Sequence, residues 1–194
     1  YKRNVLIFDI NSNQLYKNLK DFPQAVKSIE FSPDDKHLLI GMNLSLSGKR
    51  KKDVIDIWNF KNEKRIKSFK GNYNVNSVTY NQDGSTIIIG AGRKLVFRNV
   101  KSGKTIRQID SRLNSMGKII FHTSGKYFGA VSAGKLNLYS THDLSLLKQF
   151  NHKNNVTTFD INHNNNQIAV ASQGSVYLWN LKKNTIKQIK KTYS

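Results

Sequence analysis

Cysteine is absent from the 194 residues, so the chain has no disulfide framework, no thiolate nucleophile and no thiolate metal ligand, and several enzyme classes go with them. That absence suits a reducing cytosol and an exported protein equally; the compartment stays open, with an intracellular one slightly favoured. No run of about 18 apolar residues occurs, so no membrane-crossing helix is expected. Acidic residues are scarce, 12 Asp plus Glu against 32 Lys plus Arg, for a formal charge of +20. Such an excess invites a nucleic-acid or acidic-membrane reading. Most of it is Lys accompanied by frequent Asn, however, a pairing that an AT-rich genome produces without selection for any ligand. Helical periodicity is missing as well: no window keeps apolar residues three and four apart between the many Gly, Asn and β-branched positions. Tyr1-Lys2-Arg3-Asn4 leads straight into the apolar run Val5 to Ile10 with no charged-then-apolar leader, so the chain is expected to start inside a fold.

What the sequence does have is a repeat. Ser172-Gln173-Gly174-Ser175-Val176-Tyr177-Leu178-Trp179-Asn180-Leu181 reads as a strand end, a tight Gly turn and a strand closing on an aromatic plus a small polar residue. Altered copies end at Phe8-Asp9, Trp58-Asn59, Arg98-Asn99 and Tyr139-Ser140, at steps of about 40 residues with one longer step of about 50. Each full unit divides into four short apolar runs, in the second unit Val26 to Phe31, His37 to Gly41, Val54 to Phe60 and Arg65 to Phe69, which is the pattern of small antiparallel sheets. The first turns use residues that tolerate tight backbone geometry: Ser32-Pro33-Asp34-Asp35, Asn81-Gln82-Asp83-Gly84, His122-Thr123-Ser124-Gly125 and Asn162-His163-Asn164-Asn165.

These residues resemble WD repeats. Val26-x-x-Ile29-x-Phe31, Val75-x-x-Val78-x-Tyr80, Met116-x-x-Ile119-x-Phe121 and Val156-x-x-Phe159-x-Ile161 match the family's first strand. Ser32-Pro33-Asp34-Asp35 and Asp83-Gly84 match its turn, and Trp58-Asn59 and Trp179-Asn180 its closing dipeptide. The resemblance implies an all-β β-propeller of four-stranded antiparallel blades in a single domain: a half blade over 1–22 and blades over 23–70, 71–110, 111–151 and 152–194. Four and a half blades fall short of the family's usual seven, so the remaining blades are expected from further sequence or another subunit. The family's buried His, Ser or Thr, Asp and Trp chain is expected only in the last blade, through His152 and Trp179. Its Asp position holds Gln173, Ala133, Gly92 and Lys52 in this sequence, so Trp58 and Trp179 are expected to act mainly as packing.

Chemistry-bearing clusters are not evident. The five His occupy different turns without ligand spacing, the carboxylates form no acid–base dyad, and Gly90-Ala91-Gly92-Arg93 lacks the following helix that a phosphate cradle needs. Neither catalysis nor any cofactor or metal is expected. Arg98 stands where other blades carry an aromatic and is expected to snorkel. Met42 to Lys52 is an insertion ending in Lys49-Arg50-Lys51-Lys52, either a solvated loop or a basic finger for an acidic partner.

The function expected from the resemblance is a non-enzymatic interaction scaffold that binds a protein partner, with no membrane association. Its surface is expected on the face bearing the interblade loops, at Lys49, Arg50, Lys51, Tyr73, Asn74, Arg93, Arg112 and Lys153. The alternative is a basic, RNA-associated subunit of a larger assembly, with affinity that falls with salt. Lys67, Arg107, Lys148, Lys187 and Lys190 are placed on the fourth strands, as rim charges that discourage strand addition.

Overall fold

The structure, a computed structural model, describes residues 3–43, 53–71, 75–110, 116–150, 155–164 and 166–191. Those residues contain eighteen strands and no helix. Blade I is a two-stranded sheet of β1 (Val5–Asp9) and β2 (Gln14–Leu19). Four-stranded sheets follow: blade II with β3 (Ala25–Phe31), β4 (Leu38–Asn43), β5 (Asp53–Asn59) and β6 (Lys64–Gly71); blade III with β7 (Val75–Tyr80), β8 (Thr86–Ala91), β9 (Lys94–Asn99) and β10 (Thr105–Asp110). Blade IV has β11 (Met116–Phe121), β12 (Tyr127–Ser132), β13 (Lys135–Ser140) and β14 (Leu146–Phe150); blade V has β15 (Val156–Asn162), β16 (Gln167–Ser172), β17 (Ser175–Asn180) and β18 (Thr185–Lys191). Every sheet is a simple antiparallel meander in chain order.

Turn chemistry repeats from blade to blade. In the first hairpin the amides of Gly84 and Gly125 donate to the carbonyls of Asn81 and His122, and Asp35, Gly84 and Gly125 take left-handed φ of 54°, 71° and 68°. The second hairpin is a two-residue turn: Ala133-Gly134 and Gln173-Gly174 both have positive φ, the mirror-image geometry that matches strand twist. The third explains the small polar residue after each aromatic. Side-chain oxygens of Asp9, Asn59, Asn99, Ser140 and Asn180 accept amides two or three residues on, which holds the chain as an Asx-type turn. Five residues past the aromatic, Asn13, Glu63, Gly103, Leu144 and Asn184 all have positive φ.

The core consists of four separate layers, one between each pair of neighbouring sheets. Alternation along the second strands creates this. In β4, Leu38, Ile40 and Met42 face blade I while Leu39 faces blade III; in β8, Ile87, Ile89 and Ala91 face blade II while Ile88 faces blade IV. Such a strand is apolar on both faces and reads as a continuous run. Gly41 and Gly90 occupy one register position, where an added Cβ would sit 2.8 Å from Val78 and 3.0 Å from Ile119 of the next blade, so the absent side chain lets neighbouring sheets approach. The ring is open: β16 has Ala169 and Ala171 only half-buried on its outer face, unlike the wholly buried β4.

Candidate interaction surface

The two ends of the stack are built differently. At one end the Met116 amide donates to Gly92 and the Val156 amide to Gly134, both at 2.7 Å, so the second hairpins lie beside the segments that join blades. At the other end the amides of Val100, Thr141 and Leu181 donate to Ser85, Lys126 and Asn166, tying each third turn to its own blade's first turn.

Between blades, the outer strand carries a recurring device. A β-bulge interrupts pairing at Ile7/Phe8, Ile57/Trp58, Thr105/Arg107 and Leu138/Tyr139, leaving Tyr16, Ile66, Ile106 and Leu147 as the extra residue, each about half exposed. Bulges re-aim the residue that follows, here Lys17, Lys67, Arg107 and Lys148. Lys67 Nζ donates to the Val100 carbonyl at 2.7 Å and to that of Lys101; Lys148 Nζ donates to Leu181 at 2.6 Å. Lys17 Nζ reaches Glu63 at 3.1 Å. The acceptor in each case lies on the next blade's third turn. Lys67 and Lys148, expected as rim charges, are therefore half-buried interblade ties, because the bulge turns them sideways into the neighbouring sheet. In blade V the bulge moves to Val176/Tyr177, and Lys187, which pairs with Leu178, is exposed.

Inner strands are tied by side chains to backbone. Ser28 Oγ accepts the Val78 amide at 3.1 Å, Glu30 Oε2 accepts the Tyr80 amide at 3.1 Å, and Asn43 Nδ2 donates to the Val75 carbonyl at 3.0 Å. Burial pushes the Glu30 carboxyl up to about 7, opposed by bonds from Thr79 and Tyr80. Asp56 sits mid-strand in β5 and is 1% exposed. Burial raises its carboxyl, while Ser68 and Arg65, whose Nη1 is 3.7 Å away, pull it down.

Of the residues expected to meet a partner, Arg93 is described: it is exposed in the β8–β9 turn at the loop-bearing end. Lys49, Arg50, Lys51, Tyr73, Asn74, Arg112 and Lys153 lie outside the described residues, as does His152. Trp179 is buried between blades IV and V, edge-on to Phe150 at 5.7 Å, and its single N–H donates to Asn184 Oδ1 at 3.2 Å. Trp58 is half-buried, edge-on to Phe22 at 5.4 Å. Arg98 does not simply snorkel to water: its guanidinium lies 5.7 Å from the Phe69 ring of blade II, a cation–π contact across blades. Two of the histidines read as separate turn residues meet in space. Neighbouring positions in the first turns of adjacent blades, one residue out of step in the repeat, bring His122 and His163 to 5.2 Å, and desolvation, then the His163 charge, lower the buried His122. The repeat step of about 40 residues was the available signal. Among the described residues no group of three or more His, Cys, Asp or Glu is placed to hold a metal.

Comparison with known proteins agrees with this geometry. Residues 144–180 match the WD domain, G-beta repeat, a stretch that covers β14 of blade IV and β15 to β17 of blade V; the sequence repeat is thus offset by one strand from the sheet it helps build. The chain is 22% identical over 113 residues to the intraflagellar transport protein 122 homolog of Danio rerio and 21% identical over 121 residues to that of Homo sapiens. Those alignments cover 58% and 62% of this chain but 10% of each relative. With its blades, its turn chemistry and a matched repeat in agreement, the chain is similar to the WD-repeat proteins, the similarity to the family model lying at residues 144–180.

Proposed function

We propose that this chain is a non-enzymatic protein-interaction scaffold whose loop-bearing end captures a protein partner through Lys49, Arg50, Lys51, Tyr73, Asn74, Arg93, Arg112 and Lys153. The observation that supports this reading most is the WD repeat itself, 144–180, spanning two blades. A unit shared between neighbouring sheets makes the stack stiff, and stiff sheets fix the positions of loops whose sequences vary freely. The blades missing from the ring are proposed to come from further sequence or from another subunit.

A pull-down with and without nuclease tests it. Wild-type chain is expected to retain the same protein partner after nuclease, and a variant with Lys49, Arg50, Lys51, Arg93, Arg112 and Lys153 all changed to Glu is expected to lose it while keeping its β-sheet circular dichroism. Capture that disappears with nuclease in the wild type counts against the reading and in favour of the RNA-associated alternative.

A further inference from the structure

Four equivalent interblade positions carry a basic residue, and one of them is built differently. Lys17, Lys67 and Lys148 are half-buried and each is satisfied by the next blade. Arg107, at the same register opposite Phe97, is exposed, and among the described residues it donates to no carbonyl or carboxylate of blade IV. It lines a cleft of about 240 Å³ between blades III and IV whose apolar wall includes Ile106, Phe97, Phe121, Phe128 and Leu144.

Two features mark this cleft as more than imperfect packing. Its floor is an aromatic cluster, with Phe128 centred 5.9 Å from Phe97 and 5.3 Å from Phe121; Phe128 and Phe97 are buried beneath it, so the apolar surface that an entering hydrocarbon side chain meets is the exposed Ile106 and the partly exposed Phe121. Leu144 holds φ of 62°, a left-handed backbone that bulky residues rarely adopt; the equivalent residue beside Lys67 is Gly103, φ 73°. Glu63 holds the same left-handed position at the blade I–II boundary, φ 56°; what sets blade IV apart is that an apolar residue fills it, packed on the core between blades III and IV and lining the cleft.

We propose that this cleft binds an acidic segment of a protein partner, an Asp or Glu next to a large apolar residue, with the carboxylate on Arg107 and the apolar side chain against Ile106 and Phe121. An unpaired guanidinium presents a fork of donors that matches a carboxylate in two parallel bonds. Asp143 of the neighbouring turn forms no ion pair with Arg107 among the described residues; its Oδ1 accepts the Ser145 amide and hydroxyl at 3.1 and 2.8 Å. A nucleic acid is disfavoured at this spot, because one cation over an aromatic floor is a poor match for a run of phosphates. The inference rests on the scaffold reading but lies at the opposite end of the blades from Arg93.

Fluorescence anisotropy of the full chain with fluorescein-labelled decapeptides, each holding one Leu-Asp or Phe-Glu pair in a Gly-Ser frame, tests it. Peptides with the carboxylate are expected to bind about tenfold tighter than their Asn or Gln counterparts, R107Q to erase that preference, R107K to keep part of it, and K135Q, at an exposed lysine outside both the cleft and the proposed capture surface, to leave it unchanged. L144G relieves the left-handed backbone but also removes packing on the core between blades III and IV; with β-sheet circular dichroism retained, it is expected to weaken binding about threefold or more through loss of apolar wall. Equal binding of acid and amide peptides, or wild-type behaviour of R107Q, overturns the proposal. So does displacement of the peptide by a single-stranded oligonucleotide whose own binding needs Arg107. Loss of the nuclease-resistant partner only on charge reversal at the loop-bearing end, with R107Q unaffected, removes this cleft and leaves the scaffold reading standing.

Discussion

Glu30 shows what a single side chain contributes when an interblade boundary closes over it. Its carboxylate accepts the Tyr80 amide at 3.1 Å, yet burial outweighs that bond and lifts it from 4.5 to about 7. The folded chain therefore binds a proton that the unfolded chain has already released between about pH 4.5 and 7. Stability associated with this group is present below pH 4.5 and is lost as pH rises through 7. Glu30→Gln keeps an acceptor for Tyr80 and removes the titration. It is expected to raise the urea midpoint at pH 8 by the equivalent of about 2–3 kcal/mol at most and to change little at pH 4.5; a variant as pH-sensitive as the wild type contradicts this. Tyr80 responds to the same environment, its hydroxyl being pushed up by burial and then by the Glu30 charge.

At the scale of the strand, the outer-edge bulge is the element that decides how blades join. A bulge turns Lys67 toward Val100 and Lys101 and Lys148 toward Leu181, so each outer strand grips the turn of its neighbour. Lys67→Met keeps the stem beside Phe69 but leaves those carbonyls without their ammonium partner, and is expected to cost about 1–2 kcal/mol in chemical denaturation. Lys148→Met acts at a different boundary, so the two losses are expected to add. Arg107→Met, by contrast, is expected to cost under about 0.5 kcal/mol, as at an ordinary surface site. Equal costs at all three positions exclude the bulge as an interblade tie.

For the whole molecule, the controlling quantity is a charge of +20 with 12 acidic residues to offset it. Ion pairs among the described residues are few and mostly exposed, such as Lys118 with Asp160 at 3.9 Å, and pairs of that kind contribute little. Self-repulsion among the lysines therefore opposes the compact state, and salt screens it over a distance that shrinks from about 14 Å at 0.05 M to about 4 Å at 0.5 M. The melting temperature is expected to rise by a few degrees over that range of sodium chloride, and a fall with salt contradicts the expectation. Layered cores add a second whole-molecule property. Because each core lies between two sheets only, the stack is held by nearest-neighbour contacts, as in other repeat proteins.

Much of this architecture was written in the order of the residues. Alternating apolar positions, turn formers at fixed intervals and the closing aromatic with its polar neighbour specify strands, hairpins and their repetition, because all three depend on contacts within a few residues. The same is true of the left-handed position at Asn13, Glu63, Gly103, Leu144 and Asn184, which lies a constant five residues past the aromatic. What the linear order left open is everything that depends on the sideways meeting of two sheets. Lysines that read as rim charges became ties, Arg98 found the face of Phe69, and His122 and His163, some 40 residues apart in the chain, came within 5.2 Å. Bulge placement and blade stacking set those encounters, and neither has a local sequence cause; only the packed arrangement could separate Arg107, facing an open cleft, from the three lysines that share its place in the repeat.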